Sequence, residues 1–282
     1  MGDQNLIIAS CVNNTPQFSN WLNSCGKNSF LFIRNCFLIL LFLTPSAHAD
    51  HWSSNDYILS SFNKIAVKNS KVNKWQSPIY YQIIHHVDDI SLHENLVATH
   101  LNQLQQITGL QISPADNSHK ANFTIVLTTE NNLKSDVGRY FNIRSDNDIN
   151  VLTNNKIGVT SLLTNKRGYI KESVVVIPTD RARAYGRLLT SFSEMLTKGL
   201  GLQNRSAGVT PSVFNAYTVD EFLTGLDYVM LKLLYDKRIK PTMNYKQIQQ
   251  VSSSILNERH YQHQILGAEI AVKTSGLYTM IN

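Results

Sequence analysis

The chain has 282 residues, of which 43% are hydrophobic and 16% are charged, and its formal net charge is +6. These values are typical of a globular protein of one or two domains. The basic residues are spread thinly and form no Lys/Arg block, so the sequence excludes a nucleic-acid footprint of the usual kind and predicts no nucleic-acid partner.

An apolar run with positive flanks marks the first part of the chain. The apolar residues 37–43 follow Lys27 and Arg34, and the small-x-small pattern Ala-His-Ala at residues 47–49 comes next. This order predicts a signal peptide over residues 1–49, cleaved before Asp50. The run is shorter than the roughly 20 apolar residues of a membrane span, and an uncleaved anchor is the alternative. All three cysteines precede the predicted cleavage site, which excludes disulfides and thiol chemistry from the exported part.

The elements predicted for the remaining chain mix strands and helices, and the last third is helical. Strands are predicted where β-branched and aromatic residues cluster, and helices where apolar residues recur three and four positions apart. In chain order these are a short helix and linker over residues 50–74, a strand over 79–84, a helix over 92–107, strands over 123–127 and 173–177, and helices over 181–198, 224–235 and 245–272. This order predicts an α+β fold.

The strand over residues 173–177 is the clearest of these elements. Four consecutive β-branched residues make it apolar on both faces, so we expect it at the centre of a sheet, feeding directly into the helix that follows. The polar residues 130–172 before it predict a long insertion, a hairpin with loops, at the sheet edge. The helix over 224–235 is apolar around most of its circumference, which predicts a packing hub capped by Thr224 and Asp227.

The last third of the chain carries a series of motifs. They are Ser-Glu-Met-Leu-Thr-Lys-Gly-Leu-Gly-Leu-Gln-Asn at 193–204, Ser-Val-Phe-Asn at 212–215, Leu-Thr-x-x-Asp at 223–227, Leu-Leu-Tyr-Asp at 233–236 and Pro-x-Met at 241–243. This series closely resembles the bacterial family known as domain of unknown function 2927. The resemblance implies one domain over about residues 75–245, followed by a helical tail over 246–282.

The same layout is similar to the second half of a metzincin protease. That resemblance implies a zincin-like mixed sheet with two long helices and a helical C-terminal half. It places the two helical metal ligands on Glu194 and Lys198, the catalytic glutamate on Met195 and the third ligand on Asn204. A zinc hydrolase needs neutral imidazole or carboxylate ligands and a general base. A cation at Lys198 and a thioether at Met195 supply neither, so we expect no metal, no cofactor and no catalytic residue of this type.

Glu194 and Lys198 lie four residues apart on one helix face, in the favourable order for an ion pair. Two interpretations follow. The pair stands where a zinc enzyme binds its ion, or it is an ordinary exposed pair that stabilises the helix by roughly 0.3–0.5 kcal/mol. Energetics favour the second interpretation, because exposed pairs are common and weak.

Histidines elsewhere give weaker signals. His93 is expected on the surface and His100, two helical turns further on, within the apolar face; that separation is too long for one metal ion. A further cluster follows the strand over 79–84. It is expected to be a solvated strand end, because adjacent strand residues point to opposite faces. Its members are His85, His86, Asp88 and Asp89.

These observations favour an exported, non-catalytic binding or accessory module of the cell envelope, either periplasmic or secreted. Its expected partner is an envelope protein or peptide, and its only expected membrane contact is an uncleaved leader. The binding residues that the family resemblance implies are Glu194, Lys198, Asn204 and Asp227. The alternatives are a cryptic hydrolase or peptidase with Glu194 or Asp227 as its acid–base group, and a secretion or assembly component held in the membrane by its leader.

Overall fold

A mainly parallel sheet forms the centre of the computed structural model, which describes residues 51–217 and 220–281. Its strands are β1 (Lys74–Trp75), β2 (Ile79–His85), β3 (Ile112–Pro114), β4 (Phe123–Thr128), β5 (Val159–Thr164) and β6 (Tyr169–Pro178). The parallel strands run in the order β3-β2-β4-β6, β1 pairs with the first residues of β6, and β5 is antiparallel to β6. The predicted signal peptide and its cleavage site lie outside the described residues.

Helices cover the sheet and fill the last third of the chain. They are α1 (Asn55–Ala66), α2 (Ile90–Thr108), α3 (Leu133–Tyr140), α4 (Asp146–Thr153), α5 (Thr179–Ala184), α6 (Leu188–Lys198), α7 (Gly225–Tyr235), α8 (Tyr245–Leu256) and α9 (Arg259–Lys273). The predicted mixture of strands and helices is therefore confirmed as a mixed α/β fold, while a zincin-like arrangement stays a prediction. Within the part of the chain that is described, no helix combines the length and apolar character of a membrane span.

Strand β6 is the central strand that the sequence predicts. Successive residues of a strand point to opposite faces. Val175 therefore lies in the larger core, together with residues of α2 and α6, and Val176 lies in a smaller core with Leu133 and Val137 of α3. Both valines have no exposed surface, which confirms that the strand is covered on both sides.

The segment of residues 130–172 is only partly what the sequence predicts. The hairpin at the sheet edge is present, since β5 pairs antiparallel with β6. The remainder is not loop, because α3 and α4 occupy it. Leu133 and Val137 are four residues apart on α3, and this short apolar stripe is enough to cover the small face of the sheet.

Two long helices predicted from the sequence are each divided in the structure. The helix expected over 181–198 is interrupted by Gly186, whose φ of 64° ends α5 before α6 begins. The helix expected over 245–272 is interrupted at Glu258, whose extended backbone starts α9 anew. In both pairs, apolar residues of the second helix still lie in the core.

Helix α7 is the packing hub that the sequence predicts. Thr224 and Asp227 form the capping box at its start, and its apolar side chains are buried almost all round. It packs against α1, α2 and α9, and Val213 and Phe214 lie in the same core. Helix α1 also contacts α8, so the first α-helix of the described chain packs against the last third of the protein.

Candidate functional site

A pocket of about 460 Å³ lies between α6, β5 and the irregular segments that flank them. Gly158 allows the chain entering β5 to approach α6 closely, because a Cβ atom there would lie 2.6 Å from Met195 Cγ. The hydroxyl of Thr160 donates to the Met195 carbonyl oxygen at 3.2 Å and ties β5 to this helix. The pocket is therefore framed by a helix and a strand that are held together.

Glu194 lies at this pocket with a side chain that has no exposed surface. Lys198 Nζ donates to Glu194 Oε1 at 2.7 Å, and Arg205 Nε lies 3.1 Å from the same oxygen. Arg205 is fixed further by a bond of 2.8 Å from Nη2 to the Asn215 carbonyl oxygen. The favoured interpretation of an ordinary exposed pair is therefore wrong, because Glu194 faces the interior and holds two cations instead of one.

Burial changes the electrostatics of this ion cluster. Desolvation lowers the pKa of the Lys198 ammonium, and the positive charges of Arg205 and Lys156 act in the same direction, while Glu194 opposes them. Removing one member of such a cluster leaves an uncompensated charge out of contact with water. Lys198 and Arg205 together therefore compensate the carboxylate charge of the buried Glu194.

The pocket carries a large excess of positive charge. Five basic side chains line it against one acidic side chain, Glu194, which gives a formal charge of +4. The basic residues are Lys68, Lys156, Arg187, Lys198 and Arg205. Sequence reasoning identified Lys198 alone. The local signal for the others is weak: residues 181–205 contain five basic residues and a single carboxylate.

The structure separates the other predicted site residues from this pocket. Asn204 Nδ2 donates to the carbonyl oxygens of Lys64 and Val67, at 3.1 and 3.0 Å, and so binds the C-terminal end of α1. Asp227 lies in the core at the start of α7. Of the motif residues, the pocket brings together Glu194, Met195, Lys198 and Gln203.

Asp227 has a set of hydrogen bonds of its own. Its carboxylate accepts from Ser212 Oγ at 2.5 Å and from the backbone N–H groups of Val213 and Thr224, each at 3.0 Å. The Thr224 hydroxyl lies 3.0 Å from the same carboxylate. Burial raises the pKa of Asp227 to about 6, against the opposing effect of these hydrogen bonds. The residue joins the motif at 212–215 to the motif at 223–227.

Two histidines of α2 are buried. The expectation that His93 lies on the surface is wrong, since it is 1% exposed and its ring stacks on Phe192, with 6.0 Å between ring centroids. His100 lies in the apolar face as predicted, and its Nε2 is 3.0 Å from the Thr197 hydroxyl. Burial lowers the pKa of His100 to about 4. Helix α6 covers both rings, a packing that the histidine spacing alone does not reveal.

The histidine cluster after β2 is partly engaged by α3. His86 Nδ1 lies 3.0 Å from Asp136 Oδ2, and the Thr128 hydroxyl donates to that oxygen at 2.5 Å. The prediction of a simple solvated strand end is therefore wrong for His86. Over residues 51–217 and 220–281, no three His, Cys, Asp or Glu side chains are grouped in a way that would hold a metal ion.

A family model described as "Protein of unknown function (DUF2927)" matches residues 55–254. The chain belongs to the DUF2927 family. The match extends from the first residue of α1 into α8, so every residue that lines the pocket lies within the DUF2927 region. No curated protein and no solved structure matches the chain. The predicted membership is confirmed, and the resemblance of this DUF2927 protein to metzincins stays a prediction.

Proposed function

We propose that this DUF2927 protein is an exported, non-catalytic binding module of the cell envelope, and that its ligand occupies the pocket beside Glu194. The observation that carries the proposal is the ion cluster at that pocket, in which the buried Glu194 pairs with Lys198 and with the partly exposed Arg205. Its charged groups are held in fixed positions before any ligand arrives. Such preorganised polar groups in a concave, partly apolar site are typical of ligand recognition.

The chemistry of the same residues argues against hydrolysis. A general base must reach the proton that it removes. Glu194 has no exposed surface, and one of its oxygens accepts a hydrogen bond from Lys198 and forms an ion pair with Arg205. Asp227 is occupied by donors from Ser212, Val213 and Thr224 in the core. Neither carboxylate is placed to activate a water molecule in the pocket.

The sequence supports the proposed location. The predicted signal peptide and the absence of cysteine after residue 49 both suit an exported protein. Mass spectrometry of the protein from the envelope fraction tests this directly. We expect a mature chain that begins at Asp50. An intact leader on all of the protein would favour the membrane-anchored assembly component instead.

Methionine methyl NMR separates binding from catalysis. Met195 lines the pocket, whereas Met230 lies in the core on α7 and serves as an internal control. The exported protein, labelled with ¹³C at its methionine methyl groups, is mixed with short peptides and with neutral, anionic and cationic small molecules. We expect saturable shifts of Met195 alone, with every compound recovered intact.

Catalysis has two distinct signatures in the same samples. Peptide cleavage that disappears in Glu194→Gln would overturn the proposal in favour of the cryptic peptidase. Stoichiometric zinc, measured by elemental analysis and lost in Glu194→Ala, would do the same. We expect neither, because Lys198 presents a cation where a metal ligand is required.

A further inference from the structure

We infer that the pocket beside Glu194 binds a compact aliphatic ligand carrying at least two carboxylate or phosphate groups. This inference rests on the proposed binding function and specifies the chemical class of its ligand. It is drawn from the unbalanced charge of the pocket, from one buried donor without an acceptor, and from the character of the walls.

The positive side chains of the pocket outnumber its carboxylates. Among the described residues, Glu194 is the only acidic side chain at the pocket, and it is shared between Lys198 and Arg205. The remaining basic residues of the pocket, Lys68, Lys156 and Arg187, form no ion pair with a carboxylate of the described chain. Like charges gathered in a concave site raise the local concentration of counter-ions. A ligand with a single negative charge would leave most of this excess uncompensated.

Arg187 has an unpaired hydrogen-bond donor at this pocket. It precedes α6, and its backbone N–H donates to the Ala182 carbonyl oxygen at 2.7 Å, which fixes its position. Its Nε is buried and has no hydrogen-bond acceptor. A buried donor left unpaired is unfavourable, and a guanidinium group pairs best with the planar or branched oxygens of a carboxylate or phosphate. An oxyanion in the pocket would balance the charge of this guanidinium group, and a small shift of the side chain would bring Nε into contact with it.

The walls restrict the rest of the ligand. Within residues 51–217 and 220–281, none of the side chains that line this pocket is aromatic, so a base or sugar ring would find no ring on which to stack. Aliphatic side chains are present instead, among them Ile157, Val159, Leu162 and Met195. The volume of about 460 Å³ lies in the range of small-molecule sites. These features favour a short aliphatic polyanion over a nucleotide or a polysaccharide.

The experiment uses citrate and pyrophosphate as anionic probes, glycerol as a neutral probe and spermidine as a cationic probe. Binding is read from the Met195 methyl signal and from calorimetry. We expect citrate, an aliphatic tricarboxylate, to bind at the pocket. Pyrophosphate carries negative charge without an aliphatic part, and binding of pyrophosphate alone would overturn the aliphatic part of the inference. Affinity should fall with rising salt, because the attraction is between charges.

Matched variants test the residues. Arg187→Gln and Lys156→Gln should each weaken binding by about tenfold or more. Each substitution removes a charged side chain of the protein that would donate a hydrogen bond to the ligand. Lys166→Gln removes an exposed lysine of the hairpin that does not line the pocket, and affinity should stay within about twofold of the wild type. An unchanged Met230 signal shows that each variant is folded.

Three outcomes would overturn the inference. If glycerol or spermidine shifts Met195 and both anions fail, the pocket binds a ligand of another class and the proposed binding function survives. If all three variants bind anions equally well, the binding is non-specific. If no compound of any charge, peptides included, shifts Met195, the proposed function fails together with the inference.

Discussion

Replacing Asp227 with alanine tests whether this residue is more than a helix cap. Its carboxylate is the acceptor for the backbone N–H groups of Val213 and Thr224 and for the hydroxyl of Ser212. All of these groups lie in the interior. The alanine variant removes the acceptor and leaves the donors in place, in a region where water does not replace it.

The magnitude follows from those contacts. A buried donor left without its partner costs about 1–3 kcal/mol, and two backbone N–H groups cannot turn away as hydroxyls can. We therefore expect Asp227→Ala to lower the free energy of unfolding by about 3–5 kcal/mol at pH 7. Loss of the cap alone would cost about 1 kcal/mol. The difference between these figures is large enough to decide between the two roles.

The pKa of Asp227 gives a second, independent signature. Because the folded-state pKa is raised to about 6, the native state takes up a proton between pH 6 and 4 that the unfolded chain does not yet bind. The wild type gains stability from this residue as the pH falls, and loses that gain as the pH rises through 6. The penalty of Asp227→Ala should therefore be about 1 kcal/mol larger at pH 5 than at pH 7.

Urea unfolding followed by circular dichroism at both pH values measures these quantities. Asp227→Asn is the matched control. Its amide oxygen still accepts from Val213 and Thr224 while its NH₂ group donates to Ser212 Oγ, so we expect a loss of about 1 kcal/mol and no pH-dependent component. A loss of 1 kcal/mol or less in Asp227→Ala would refute the reasoning and reduce the residue to a cap.

Four further substitutions, one of them a control, test the packing and the electrostatics, each by urea unfolding. Leu233→Ala opens a cavity under α7, where Leu233 is fully buried, and should lower the free energy of unfolding by about 2–5 kcal/mol. A smaller loss would contradict the role of α7 as a packing hub. His100→Gln should remove one pH-dependent contribution: because burial lowers the pKa of His100 to about 4, the free energy of unfolding of the wild type should fall by about 2 kcal/mol more than that of the variant between pH 7 and 5. Gly201→Ala should cost more than about 2 kcal/mol, because φ is 114° and the new Cβ would lie 2.1 Å from the Asn73 carbonyl oxygen. Gly267→Ala, with open space around it on α9, should be neutral or stabilising by up to about 1 kcal/mol; equal losses at both glycines would contradict this.

The elements predicted correctly are those whose apolar pattern is continuous. The β-branched run at 173–177 and the apolar stripe at 225–235 leave a single placement that buries them, and the structure places both in the core. The helices whose extent is predicted wrongly are those that a change in backbone conformation interrupts. The left-handed Gly186 and the extended Glu258 divide helices whose apolar spacing continues on both sides. Spacing therefore identified the buried faces and did not reveal the breaks.

The candidate site shows the same division between local and distant information. The pair of Glu194 and Lys198 is visible as a spacing of four on one helix. The burial of this pair is not visible in the sequence, because it depends on β5 and on Arg205, which contacts the same carboxylate. Lys68 and Lys156 come to the pocket from segments far away in the chain. No local pattern indicates that these side chains share one surface.

The position of α1 has a consequence for how the chain reaches its native state. The apolar residues Ile58, Phe62 and Ile65 of α1 are fully buried, and the helices that contact α1 include α7 and α8. During synthesis α7 and α8 are made long after α1, so the apolar face of α1 stays uncovered until they are present. Joining such distant segments carries a large loop-closure entropy and slows folding. A chain with this topology cannot complete the core around α1 until its C-terminal helices have been made.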